Sequence, residues 1–232
     1  MINPVAHAKD CPIIEETDRY IIVCKPNNIS SEEVALKFAH GLQNVSLVYS
    51  LPHNIGGLLI IPKSKLDASI LRNDYGSYRF QLTFDVISTT TMLPKDMPIS
   101  CELPIAKHDT KDLYLISSTT GKKSSTTFTF LEKIGKCEHW QASCTYLRND
   151  QISIHAYESG INILGDIKYA KCPIPSFKEL KRNFKDNRKE DNEYPFHGPA
   201  IYLSALKFPD KSILQINLPK KMSVFMKLLS LT

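Results

Sequence analysis

"LVYSLPHNIGGLLIIPK", residues 47–63, joins two apolar runs through a turn-forming stretch, Pro52-His53-Asn54-Ile55-Gly56-Gly57. The first run ends at Leu51 and the second covers Leu58 to Ile61, so the pattern predicts a loop held between two apolar strands. Loops positioned this way commonly carry function. Yet between Tyr49 and Leu66 there is no Asp, Glu or Cys, and besides Tyr49 the only titratable groups are His53 and the lysines. A loop with the build of a catalytic site therefore has no acid or thiol of its own.

Working outward, strand signals outnumber helix signals. "RYIIVCKP" (19–26) is a β-branched apolar run stopped by Pro26, and "SSEEVALKFAHGL" (30–42) opens on Ser and acids and closes at Gly, the pattern of a capped helix. "SYRFQLTFDVIS" (77–88), "TTFTFLEKI" (126–134) and "HWQASCTYL" (139–147) alternate apolar and polar residues, as half-buried strands do. Together they predict an α+β fold on a large antiparallel or mixed sheet. "STTGKKSST" (117–125) reads as a hairpin turn, and "SFKELKRNFKDNRKEDNE" (176–193) as a charged insertion, with Phe177, Leu180 and Phe184 at the spacing of a short amphipathic helix.

The chain has 232 residues, 42% of them hydrophobic, enough for a proper core, and no linker or repeat divides it, so one domain over 1–232 is expected. A net charge of +5 permits contact with nucleic acid without requiring it. The six cysteines form no CxxC pair and have no histidine at ligand spacing, which argues against zinc and, in a chain with early acids and no apolar leader, points to reduced thiols in the cytoplasm, with an organellar matrix left open. No stretch approaches the roughly 18 apolar residues of a membrane span.

In their order along the chain, these segments resemble the catalytic domain of the RluA-type RNA pseudouridine synthases, which isomerise uridine in structured RNA without a cofactor. "EETDRYIIVCKPNNIS" (15–30) is similar to the family's opening, and "LVYSLPHNIGGLLIIPKS" (47–64) to its His-Arg-Leu-Asp-x-x-Thr-Ser-Gly-Leu loop and following strand. Tyr78 falls where the family has its motif tyrosine, and "GKKSSTTFTFLEK" (121–133) resembles the Gly-Lys-x-x-x-Thr strand. "YLRNDQISIHAYESGINILGDIKYA" (146–170) resembles the Gly-Arg-Thr-His-Gln-Ile-Arg-x-His motif, keeping Arg148, Gln151, Ile152, His155, Gly160, Gly165, Asp166 and Tyr169. "IYLSALKFP" (201–209) and "LPKKMSVFMKLL" (218–229) look like the last strand and helix. The resemblance implies the pseudouridine-synthase fold: a large, mixed, mostly antiparallel sheet with flanking helices and a cleft bordered by 49–57, Tyr78 and 147–155.

It also shows what is missing. The family's catalytic Asp is Pro52 here, which offers neither an ionisable group nor a backbone donor. The His-Arg pair before it is Tyr49-Ser50, and the second motif carries Leu147, Asn149, Asp150 and Ser153 in place of its Gly, Thr, His and second Arg. Tyr78 and Arg148 survive as vestiges, while Gln151 and His155 read as scaffold. The resemblance implies an RNA-binding protein without the synthase's chemistry, such as an RNA chaperone or ribosome-assembly factor acting on rRNA or tRNA beside ribosomal or assembly proteins. Lys122, Lys123, Arg148, Lys178, Lys181, Arg182, Lys185 and Arg188 are the expected phosphate contacts. Two alternatives stand beside it: an active synthase using Asp150 as a substitute acid, and a protein-interaction module that has lost RNA. No cofactor or metal is implied in any of them.

Overall fold

The apolar run after Gly56-Gly57 becomes strand β3 (Gly56–Pro62), every residue of which is buried. It pairs along its length with β2 (Tyr20–Lys25), antiparallel, and on its other side runs parallel to β10 (Ile201–Lys207) at Tyr202↔Gly56 and Leu203↔Gly57. A strand flanked and covered like this reads as a continuous apolar run. Gly57 makes the approach possible: its φ is +131°, and a Cβ there would lie 2.3 Å from the Leu203 carbonyl oxygen.

The computed structural model describes residues 11–38, 47–180, 194–195 and 197–231. Among them nine strands form one sheet, ordered β1 (Ile13–Glu16), β2, β3, β10, β4 (Gln81–Thr89), β9 (Cys137–Cys144), β8 (Thr126–Ile134), β5 (Ile99–Cys101), with β11 (Ile213–Gln215) beside β10. The β3–β10 pairing is parallel and the others antiparallel, so the expected mixed, mostly antiparallel sheet is what forms. The late strand β10 sits centrally, stitching the first strands to β4. Two short strands, β6 (Ile105–Lys107) and β7 (Tyr114–Ile116), make a separate ribbon.

Helix α1 (Ser31–Lys37) starts on the expected capping box, with Ser30 and Glu33 satisfying each other's backbone N–H. Helix α2 (Lys65–Gly76) buries Ala68, Leu71 and Tyr75, three and four residues apart, packing beside β3. Helix α3 (Gln151–Glu158) packs beside β8, and α5 (Lys220–Leu229) buries Met222, Phe225, Leu228 and Leu229. No helix among the described residues is long and apolar enough to cross a membrane.

Four local expectations need correction. Residues 47–51 are not a strand: Val48, Tyr49 and Leu51 are buried, but Leu51 exchanges its backbone hydrogen bonds with the Ser31 hydroxyl, and the Tyr49 hydroxyl donates to the Leu58 carbonyl. The strand read at 77–88 begins only at Gln81, because the chain closes α2 through a left-handed Tyr78 (φ 59°) whose N–H donates to the Tyr75 carbonyl. The strand read at 139–147 runs from Cys137 and stops at Cys144. Residues 117–125 are not a hairpin turn, since β7 and β8 do not pair; the segment crosses from ribbon to sheet, bridged by Lys122↔Ile105. Of the charged stretch, α4 (Phe177–Leu180) is a single helical turn at the expected place, and Lys181, Arg182, Lys185 and Arg188 lie outside the described residues.

Candidate functional site

Lys25, the last residue of β2, is fully buried and decides the shape of the loop. Its ammonium donates to the carbonyl oxygens of Ile55 (2.6 Å), Pro52 (3.2 Å), Pro26 (3.2 Å) and His53 (3.3 Å). Three protons thus serve four carbonyls. Asn27 and Asn28 complete the grip, the Asn27 amide donating to Asn54 O and the Asn28 N–H to His53 O. Burial lowers the Lys25 pKa from 10.5 to about 8, which leaves it mainly charged at neutral pH. The polar group that Pro52 offers, its carbonyl, is therefore already engaged.

Against this loop lies a cavity of about 280 Å³ whose walls include Asn54, Ile55, Asp150, Ser153, Asp166 and Lys168. The loop and the second motif do meet, as expected. Asp150 sits at the N-terminus of α3 in a left-handed conformation (φ 56°) and makes no capping bond. Instead its Oδ2 accepts from the Tyr169 hydroxyl (2.6 Å) and the Lys168 ammonium. Burial first, and the Asp150 carboxylate next, push the Tyr169 pKa far up, so the phenol stays a donor. Asp166, 3% exposed, accepts the Tyr169 N–H at Oδ1 (3.0 Å). Neither Ser50, which donates to Glu32 (3.2 Å), nor Ser153 brings a positive charge to the site.

The retained Gln151 and His155 are spent on structure. The Gln151 amide donates to the Thr126 hydroxyl (3.0 Å) and to Ser125 O, and its oxygen accepts the Arg148 N–H (2.8 Å). His155 is fully buried, with Nδ1 2.9 Å from the same hydroxyl and Nε2 2.8 Å from Leu103 O. With Nε2–H donating to that carbonyl, Nδ1 accepts from Thr126, which is the neutral tautomer. Burial accordingly lowers the His155 pKa.

Arg148 does not line the cavity against the loop. Its guanidinium lies 4.4 Å from the centre of the Tyr146 ring, and its Nε donates to Lys123 O (3.4 Å). Tyr146 stacks on Tyr75 at 4.6 Å, and Tyr78, 56% exposed, has its ring 6.0 Å away. Tyr78 and Arg148 thus share the Tyr146 neighbourhood, but neither lines the cavity beside Pro52. Arg148 instead borders a second cavity, about 430 Å³, between residues 146–149 and the β6–β7 ribbon, together with Lys107, Tyr114, Lys122 and Asn149. Of the expected phosphate contacts, Lys122 and Arg148 meet here and Lys123 adjoins through its carbonyl. Lys178 is exposed on α4 and lines neither cavity.

The resemblance places Lys25-Pro26 in an opening that leads into the cleft without giving Lys25 a role, and it singles out none of Lys107, Tyr114 and Lys168. A lysine ending an apolar strand before Pro26 was a usable sign of a buried anchor; nothing local marks the other three, which the topology gathers. Among the described residues no group of three His, Cys, Asp or Glu side chains is placed to hold a metal.

Compared with solved structures, the chain matches human RNA pseudouridylate synthase domain containing 4 with a TM-score of 0.72 at 14% identity, over 97% of this chain and 95% of that one. It matches human RNA pseudouridylate synthase domain containing 1 with a TM-score of 0.66 at 14% identity, over 92% and 84%. No family model and no curated protein matches the sequence. The fold is that of the pseudouridine synthases.

Proposed function

We propose that this chain is an RNA-binding protein on the pseudouridine-synthase fold, of the RluA type, that does not isomerise uridine. One observation carries the reading: where the resemblance expects the catalytic carboxylate stands Pro52, whose carbonyl is held by Lys25, and the substitute acid that lines the cavity from the second motif, Asp150, is tied to Lys168 and Tyr169. Those two bonds on Oδ2 fix where the Asp150 carboxylate points, and for an acid that must be aimed at the reacting atom a displacement of about 1 Å costs on the order of 10²-fold in rate. The cations that survive line a different cavity, which fits retained binding rather than retained chemistry. Structured RNA, rRNA or tRNA, is the proposed partner, in a cytoplasmic setting that includes ribosomal or assembly proteins.

A second reading has its own observation. Asp150 does line the cavity beside the loop, so an active synthase that uses it is the alternative. Binding and turnover measured on the same RNA separate the readings. Binding that weakens steeply with salt, and no pseudouridine, is expected. Absence of RNA binding at 50 mM salt would reduce the chain to a protein-interaction module.

A further inference from the structure

The second cavity has properties that the loss of catalysis does not explain. It is lined by Lys107, Lys122 and Arg148 without a carboxylate among its lining residues, and Arg148 makes no ion pair among the described residues. Three uncompensated cations around one concavity attract an anion. Arg148 also has a defined plane. Tyr75 stacks on one face of Tyr146 at 4.6 Å, so the guanidinium, 4.4 Å from the same ring centre, takes the other face. Neither face of Tyr146 is left for a ligand. The planar group that both lies over that ring and lines the cavity is the Arg148 guanidinium, a group on which nucleobases stack. Tyr114 and Asn149 close the cavity with a hydrogen bond from the Asn149 amide to the Tyr114 hydroxyl. At about 430 Å³ the space suits one nucleotide unit.

We infer that this cavity is a nucleotide subsite for single-stranded RNA, holding a phosphate among Lys107, Lys122 and Arg148 and stacking the adjoining base on the Arg148 guanidinium. The inference rests on the RNA-binding reading and adds to it where, and in which form, the RNA is held. Cations with a planar platform favour a splayed single strand over a duplex, whose bases are stacked on one another and cannot reach the plane.

The test is fluorescence anisotropy with a labelled 12-nucleotide single-stranded RNA of mixed sequence, and the same RNA as a duplex, over a salt series. Lys107→Ala combined with Lys122→Ala, both exposed and free of packing roles, should weaken single-strand binding about tenfold or more at low salt and reduce the salt slope by about 0.7 to 1.4. Arg148→Lys keeps the charge and removes the plane; it should leave the slope near that of the wild type and cost roughly 5- to 100-fold in affinity, the loss of one stacked base. The duplex should lose little with Arg148→Lys. Wild-type binding that neither variant weakens would overturn the subsite and leave the RNA-binding reading standing. No binding by the wild type would overturn both. Thermal unfolding of each variant checks the fold, and if Arg148→Lys unfolds, the lysine pair alone decides.

Discussion

Lys25→Met tests how the loop that carries Pro52 is held. Methionine keeps most of the buried chain but removes the ammonium donors to the carbonyls of Pro26, Pro52, His53 and Ile55, leaving Pro52 O the Ile55 N–H and His53 O the Asn28 N–H. A hydrogen bond from a charged donor contributes about 1.5–3 kcal/mol, so three protons supply about 4.5–9 kcal/mol. Taking the ammonium out of water opposes this: a pKa lowered from 10.5 to about 8 by burial corresponds to about 3.4 kcal/mol. The difference, centred near 3 kcal/mol, is the destabilisation expected at pH 7. The pH dependence gives a second handle. The folded-state pKa lies below the unfolded one, so between them the unfolded chain binds more protons and stability rises with pH. From pH 7 to 9.5 the wild type should gain about 2 kcal/mol that the variant does not. Urea unfolding of both proteins at the two pH values measures both effects. A difference below about 0.5 kcal/mol at pH 7, or one that does not widen by pH 9.5, would refute the clamp.

Three other substitutions probe the frame around the site. Gly57→Ala should destabilise by more than about 3 kcal/mol, since its Cβ would meet the Leu203 backbone at 2.3 Å, whereas Gly76→Ala, with open space around it, should be neutral or stabilising; denaturant midpoints compare them. The His155 pKa is lowered by burial from 6.5, so its contribution to stability is full above about pH 6.5 and is lost as pH falls toward the folded value; His155→Gln should flatten that acid limb. His139 is opposite: burial lowers its pKa, but the Asp85 carboxylate 2.6 Å away raises it more, so its contribution is full below 6.5 and is lost as pH rises through the folded value, and His139→Gln should remove that loss.

The sheet was legible because β3 and the alternating strands β8 and β9 carry their own periodicity, and α1 carries its capping box. Leu47 to Leu51 misled because burial, not pairing, makes that run apolar. Helix α3 escaped notice because it is buried on nearly all sides, Gln151 to Ala156 without interruption, so it shows no amphipathic stripe. At the site, the identity of Pro52 and the meeting of its loop with Asp150 could be read in advance from the resemblance. The separation of Arg148 from that cavity could not, because it depends on Tyr146 and on a ribbon at 105–116 that no local pattern ties to it.

The decisive property of this protein is whether the cavity walled by Asn54, Ile55 and Asp150 performs chemistry. Purified wild-type protein, Pro52→Asp and Asp150→Ala, each incubated with RNA that the protein binds and then analysed for pseudouridine by mass spectrometry, measure this directly. No pseudouridine is expected from any of the three, because the Asp150 carboxylate is held by Lys168 and Tyr169, and neither Ser50 nor Ser153 supplies the arginine that the resemblance expects beside an acid at 52. Turnover by the wild type that disappears in Asp150→Ala would contradict the account and identify Asp150 as the working acid.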